Sequence, residues 1–268
     1  MNLVLTGDSV EMLKTLESGM VQLCVTSPPY DNLRTYKNGV KWDFEGTARE
    51  LYRVLCDGGV LCWNVGDAVV NGSETLTSFR QALYFVDIAG FRMHDTMIWK
   101  KSNFANPEKV RYHQLFEYVF VLSKGVPRTF NPIKDKKNVY AGTGTVGDNT
   151  ARQPDGSFVK RKRNIIEPLG MRGNVWEGNT RGQEDMCEEL KHPAMMPRWL
   201  ARDLIRSWSN PGDIVLDPFV GSGTTGQEAK KLGRKYILID NESEYVKELV
   251  KPSLEAIDPL FAEGDDKR

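Results

Sequence analysis

One stretch constrains this 268-residue chain more than any other. Residues 213–225 read DIVLDPFVGSGTT: a short β-branched run, Asp217 and a proline, a glycine-rich turn, then Thr224 or Thr225 where a helix starts. A second apolar run, Tyr236–Ile239, follows and ends in Asp240, about twenty residues on. Strand, glycine turn, helix, strand and acid in that order belong to a doubly wound α/β sheet, where ligands bind at the carboxyl ends of strands. Gly221 and Gly223 remove the Cβ atoms that would hold a ligand off the backbone, and Phe219 offers an apolar wall. This is not a phosphate cradle, because Thr224 and Thr225 stand where such a loop needs a lysine. A carboxylate at Asp240 can accept both hydroxyls of a ribose, so the turn and the acid imply an adenosine-containing ligand without demanding a pyrophosphate. Gly142–Gly147, GTGTVG, also has glycine-loop spacing, but no strand precedes it and no helix follows, so a flexible loop is expected.

The rest of the chain extends the same pattern. Leu3–Leu5, Val21–Thr26, Val60–Val65, Met97–Trp99, Tyr118–Leu122, Ile214–Leu216 and Tyr236–Ile239 read as strands. Ser9–Leu16, Thr47–Leu55, Thr75–Ala89, Trp199–Trp208 and Thr225–Leu232 carry helical periodicity between them. Alternation of the two predicts a mainly parallel α/β sheet. Residues 125–186 differ, being rich in Gly, Asn, Lys and Arg with little periodicity. The expected division is therefore one half of the α/β domain over 1–124, an insert over 125–186, the other half over 187–257, and a frayed charged tail over 258–268.

A second motif ends the strand at Val21–Val25: Thr26-Ser27-Pro28-Pro29-Tyr30. The prolines lack N–H groups and have fixed φ, so their carbonyls can be held outward as acceptors. Ser27 adds a hydroxyl acceptor and Tyr30 a flat ring. This set suits a planar ligand with an exocyclic amine, whose hydrogens go to Ser27 and the Pro28 carbonyl while Tyr30 stacks on the ring. Such bonds draw the nitrogen lone pair out of conjugation, and the chemistry becomes attack of an amine on an activated methyl group.

Charge and cysteine usage narrow the class. Lys+Arg and Asp+Glu both total 36, yet residues 100–172 hold 15 basic residues against 6 acidic ones. A neutral chain with one basic segment suits a protein that turns one face to a polyanion. Lys134–Lys137 and Lys160–Arg163 are the densest basic clusters, and Arg152, Arg172 and Arg181 are further candidates for reading guanine. Cys24, Cys56, Cys62 and Cys187 form no C-x-x-C pair and the three histidines are scattered, so neither a zinc site nor a disulfide framework is expected. No stretch approaches the roughly 18 apolar residues of a membrane span, and the opening MNLVLTGDSVEML does not look like a signal peptide. A cytoplasmic protein with no metal and no membrane partner is the expectation.

Taken together, TSPPY and DPFVGSGTT closely resemble the two anchor motifs of the DNA amino-methyltransferases that make N4-methylcytosine or N6-methyladenine. Their order resembles the permuted, beta-class arrangement, with the catalytic motif first, target recognition next and the cofactor turn last. The resemblance covers nearly the whole chain outside the insert. It implies a circularly permuted, Rossmann-like S-adenosylmethionine-dependent methyltransferase sheet. It also implies double-stranded DNA as substrate, a base flipped out of the helix, and a cognate restriction endonuclease as a potential partner in a bacterium or phage-infected host. By this likeness Ser27, Pro28, Pro29 and Tyr30 are catalytic. Asp217, Phe219, Gly221, Ser222, Gly223, Thr224 and Asp240 hold the cofactor, and Asp8, in the Gly-Asp of TGDSVEML, meets its adenine. Segments from Gly58, His113 and His192 match further family stretches. Asp240 stands where many relatives carry Glu, and Ser27 where adenine-modifying relatives more often carry Asp or Asn. The second departure favours cytosine N4, with adenine N6 as the alternative. Asn64 and Asp67 are candidates for relaying the amine proton, with structural turn roles as the competing assignment. RNA or a protein amide as acceptor, and a decayed DNA-binding scaffold, are competing readings that the basic insert and the intact motifs disfavour. Carbon-5 cytosine chemistry needs a cysteine nucleophile, characteristically after Pro, and no cysteine here follows one.

Overall fold

The β-branched runs become strands of one large sheet, and the amphipathic runs between them become helices on its faces. The computed structural model describes residues 2–29, 42–103, 109–144, 150–160, 165–179 and 196–257. They fall into two units, Met1–Asn131 with Asn174–Arg268, and Pro132–Gly173. In the larger unit the chain forms β1 (Leu3–Thr6), α1 (Ser9–Lys14), β2 (Val21–Thr26), α2 (Phe44–Val54) and β3 (Leu55–Val65). A hairpin of β4 (Val69–Val70) and β5 (Ser73–Glu74) follows, then α3 (Thr77–Asp87), β6 (Arg92–Lys100) and β7 (Phe116–Ser123). The smaller unit holds β8 (Lys134–Lys137), β9 (Thr150–Arg152), β10 (Phe158–Lys160) and β11 (Leu169–Met171). The larger unit resumes with β12 (Val175–Glu177), α4 (Arg198–Trp208), β13 (Ile214–Asp217), α5 (Thr224–Lys231) and β14 (Lys235–Asp240). Short helical turns, α6 (Ser243–Tyr245), a π turn (Val246–Val250) and α7 (Lys251–Glu255), close the described chain.

The sheet has eight strands in the order β1-β14-β13-β2-β3-β7-β6-β12. All neighbours run parallel except β7, which is antiparallel to β3 and to β6. The exception follows from the connection: no helix links β6 to β7 among the described residues, and only a parallel pair needs a crossover. The strand expected at Val60–Val65 starts earlier, at Leu55, because α2 passes directly into it. Gly58, at φ +77°, sits in that join with no room for a side chain: a Cβ would lie 2.3 Å from Arg128 Cγ. The stretches flanking the smaller unit belong to the larger one. Val175–Glu177 pairs with β6, the Phe130 ring packs 4.8 Å from that of Trp208, and Asn131 Nδ2 donates to the Arg206 and Ser209 carbonyls. Within the smaller unit β8 pairs with β11 and β9 with β10. Gly142–Gly144 forms a turn that ends in a bridge to Ile165, while residues 145–147 of that motif lie outside the described residues.

Side-chain alternation places a core on each face. On one face Leu13, Leu16, Leu51, Val54 and Phe85 of the helical layer meet Cys24, Leu61, Trp63, Leu122 and Ile239 of the sheet. On the other, α4 lies against α5 and β2, burying Leu200, Leu204 and Ile205. Each such side chain contributes roughly 1.5–3 kcal/mol on burial, so the sheet is a rigid platform for whatever its loops carry. Caps position the helices: Asp8 accepts from the Val10 and Glu11 amides at the start of α1, and Asp43 from the Gly46 amide at the start of α2. Arg53 in α2 donates to the Leu13 and Leu16 carbonyls at the end of α1, locking the pair together.

Candidate active site

The sheet order locates the crevice. From β13 the chain crosses through α5 to β14 on one side, and from β2 it crosses through α2 to β3 on the other. The crossovers therefore diverge between the adjacent strands β13 and β2, the switch point at which α/β sheets bind ligands. Asp217 ends β13 and Thr26 ends β2, so the glycine turn and the Ser-Pro-Pro turn leave the sheet side by side. A bond ties them: Thr26 Oγ1 donates to Asp217 Oδ1 at 2.7 Å, with both residues buried.

A cleft of about 1090 Å³, solvent mouth included, opens there. Ser27, Pro28 and Pro29 line one part of it. The glycine turn supplies Asp217, Phe219, Gly221, Ser222, Thr224 and Thr225. Asp8 and Ser9 come from the start of α1, and Asp240, Asn241 and Glu242 from the end of β14. Four of the lining groups are carboxylates (Asp8, Asp217, Asp240 and Glu242), and no Lys, Arg or His is among the described lining residues. An acceptor set of that kind suits a cationic ligand carrying hydroxyls and repels a phosphate. Tyr30 lies outside the described residues, as do Arg181, Cys187, His192, Arg161–Arg163 and the 258–268 tail.

The buried acids shape the turn. Asp217 accepts from Thr26 and from the Phe219 amide at 3.1 Å, yet burial outweighs these bonds and pushes its carboxyl up to about 6. Asp240 is also raised, by burial first, although Oδ2 accepts the Gly221 amide at 2.8 Å and Oδ1 the Glu242 amide at 2.9 Å. Asp240 thus shapes the loop as well as facing the cleft, and each oxygen keeps a lone pair for a hydroxyl. Asp8 uses Oδ1 for both capping bonds. Gly223 differs from its sequence reading. It is not among the lining residues, and its glycine is required by φ +88° and by a Cβ that would meet Ser253 Oγ at 3.2 Å and Val250 Cα at 3.4 Å. Gly226, overlooked in the motif, lets α5 sit on β14, since a Cβ there would lie 2.3 Å from Leu238 Cδ1.

Other lining residues escaped sequence reasoning. Trp42 faces the cleft, with ring centroids 5.0 Å from Phe219, 5.7 Å from Phe44 and 6.1 Å from Trp63. An aromatic ladder therefore runs from the cleft wall into the core. Met196 and Tyr245 complete the wall. The only advance signal for Trp42 was its place directly before the Asp43 cap. Both relay candidates make hydrogen bonds within the fold. Asn64 donates to Glu117 Oε2 at 3.0 Å and to the Tyr118 carbonyl, and Glu117 pairs with Lys101. Both Asp67 oxygens are taken by the Ser78 amide and hydroxyl at the start of α3. Cys24 and Cys62 are fully buried and Cys56 half-buried; burial raises all three thiols, which leaves no thiolate nucleophile among the described residues. No metal-holding cluster of His, Cys, Asp and Glu occurs among the described residues.

In the smaller unit, the lysines of β8 are exposed, Arg152 lies on β9, and Arg172 is engaged by Asp135, its Nε donating at 2.8 Å.

Comparison with known proteins agrees with this geometry. A family model described as DNA methylase, covering N6- and N4-type enzymes, matches residues 21–251. Orphan methyltransferase M.BamHII of Bacillus amyloliquefaciens is 48% identical over 228 residues, spanning 84% of this chain and 85% of that protein. DNA adenine methyltransferase YhdJ of Escherichia coli (strain K12) is 29% identical over 91% of this chain and 80% of its own. Among solved structures, the cytosine-N4-specific PvuII DNA methyltransferase superposes with a TM-score of 0.65 at 22% identity, covering 99% of this chain and 87% of that one. The M1.HpyAVI–SAM complex does so with a TM-score of 0.61 at 24% identity, covering 95% and 99%.

Proposed function

This chain belongs to the N6/N4 DNA methylase family, and from that premise we propose that it transfers a methyl group from S-adenosylmethionine to N4 of a cytosine flipped out of double-stranded DNA. The observation that carries this reading is the union, in one cleft at the switch point, of the Ser-Pro-Pro turn and a carboxylate-lined glycine turn. When bound, S-adenosylmethionine supplies a methyl group activated on a sulfonium. Asp240 and Glu242 face its ribose hydroxyls, the Gly221–Ser222 backbone and Phe219 hold its body, and Asp8 meets its adenine. The carboxylates of the cleft balance its positive charge.

The Ser27 hydroxyl and the Pro28 carbonyl accept the two hydrogens of the target amine, and Tyr30 stacks on the base. Transfer would leave the amine with one surplus proton, which is released to water, and alignment of amine and methyl supplies much of the rate. The Thr26–Asp217 bond fixes the two turns relative to each other and so sets that alignment. Extruding the base costs a few kcal/mol, which contacts to the rest of the duplex must offset. We assign those contacts to 125–186, with the β8 lysines on phosphates and Arg152 near the bases. Adenine N6 is the second reading, favoured by the likeness to YhdJ, a DNA adenine methyltransferase. The Type II names of other relatives make a cognate endonuclease a candidate partner, whereas M.BamHII is named an orphan. No helix among the described residues is long and apolar enough to cross a membrane.

The test is calorimetric titration of the purified protein with S-adenosylmethionine and, separately, with ATP. One S-adenosylmethionine per chain and no heat from ATP are expected. Tight ATP binding, or a folded protein that takes up no S-adenosylmethionine, contradicts the assignment.

A further inference from the structure

The sheet edge that carries the cleft continues beyond it. Val65, at the end of β3, pairs with Tyr118 of β7. The residues before β7 therefore leave the sheet at the same edge as Ser27, two strand spacings or about 10 Å along it. There residues 109–115 run without helix or strand. Arg111 is anchored at the surface: its Nη2 donates to the Gly72 carbonyl at the exposed tip of the β4–β5 hairpin at 2.5 Å, and its Nε atom is buried with no partner among the described residues. On either side of that tether Val110 is 87% exposed and Tyr112 99% exposed. Exposed apolar side chains are common on this surface, but these two flank an anchored arginine at the edge of the sheet that carries the cleft, and a ring held out whole into water is free to stack on a partner. The charge around it selects the partner. Residues 109–116 read KVRYHQLF, with Lys109, Arg111 and His113 and no acid.

Resting on the proposed action on DNA, we propose that Tyr112, backed by Val110, is the wedge that enters the duplex beside the flipped nucleotide. A base that leaves its stack exposes the faces of its neighbours, and proteins that deform DNA insert apolar side chains between base steps. Tyr112 stacks on the exposed face, Lys109 meets the adjoining phosphate, and the Arg111 tether holds the ring at a set height beside the cleft. Tyr112 touches neither cofactor nor reacting atoms; it is a positioning residue that stabilises the extruded state.

The test uses the full chain and short duplexes carrying the site that sequencing of methylated DNA identifies. One duplex has the target base normally paired; the other has it opposite a mismatch, which lowers the cost of extrusion. Single-turnover methyl transfer by Tyr112→Ala is expected to fall by roughly 5- to 150-fold on the paired duplex, the range that loss of one base–aromatic stack gives. Tyr112→Phe should keep the wild-type rate, and the mismatch should restore most of the rate of Tyr112→Ala. Equal slowing on both duplexes, or none on either, overturns the wedge. A wild-type dimer that Tyr112→Ala converts to a monomer in sedimentation assigns the ring to a second copy and overturns it too. Wild-type transfer to the paired duplex is the separate control: if it is absent, the proposed function itself fails.

Discussion

Replacing Thr26 with valine removes one hydroxyl and almost no volume, at a fully buried position between the two motifs. The lost bond is the 2.7 Å donation to Asp217, whose remaining donors include the Phe219 amide at 3.1 Å. The magnitude depends on the charge of Asp217, which burial raises from 3.8 to about 6 in the fold. Above pH 6 the carboxylate is ionised, and a hydrogen bond to a charged group is worth about 1.5–3 kcal/mol. Below that pH the acid is protonated and the bond is an ordinary one, worth about 1 kcal/mol. Because the folded value lies above the unfolded one, the stability contributed by Asp217 is full below pH 3.8 and is lost as pH rises through about 6. Thr26→Val pushes the folded value higher still, so it steepens that loss. Urea unfolding should show Thr26→Val destabilised by about 2 kcal/mol at pH 8 and by about half as much at pH 5, with unchanged m-values. Equal destabilisation at the two pH values, or a deficit below about 0.5 kcal/mol at pH 8, would refute the idea that this bond compensates a buried charge.

Two further outcomes follow from the same site. Affinity for S-adenosylmethionine should fall below about pH 6, by up to roughly tenfold per pH unit, because a cationic ligand favours the ionised form of Asp217. Calorimetry across pH 5–8 checks this, and a flat profile for the wild type would contradict it, whereas Asp217→Asn should remove most of the dependence. Gly226→Ala should lower stability by about 1–3 kcal/mol, since the new methyl lies 2.3 Å from Leu238 Cδ1; an unchanged Tm would mean that α5 does not sit as described.

The parts of the site that could be read from sequence are those whose chemistry is local. DIVLDPFVGSGTT declares a strand end, a turn and a helix start within thirteen residues, and Thr26-Ser27-Pro28-Pro29 declares a strand end and a turn, of which Ser27, Pro28 and Pro29 line the cleft. Trp42 could not be read this way, because it reaches the cleft only through the packing of Phe44, Trp63 and Phe219, residues far apart in the chain. The Thr26–Asp217 bond spans 191 positions and depends on β2 and β13 being neighbours. The motif assigns Gly223 to ligand approach, whereas in the fold its φ of +88° and the close approach of Val250 and Ser253 from the C-terminal turns require the glycine. In the smaller unit, β8 reads KDKK and is exposed along its length, so no alternation of apolar and polar residues announced it. The antiparallel course of β7 follows from a connection with no helix among its described residues, which period and composition do not encode.

The most direct measurement is of the product. The purified chain is incubated with unmethylated bacterial genomic DNA and S-adenosylmethionine, the DNA is digested to nucleosides, and these are identified by chromatography with mass spectrometry. N4-methyldeoxycytidine is the predicted product, and N6-methyldeoxyadenosine would overturn the choice of base made from Ser27 while leaving the cleft assignment standing. Formation of 5-methyldeoxycytidine, or of no methylated nucleoside by a folded protein that binds S-adenosylmethionine, would contradict amine methylation at the junction of the two turns.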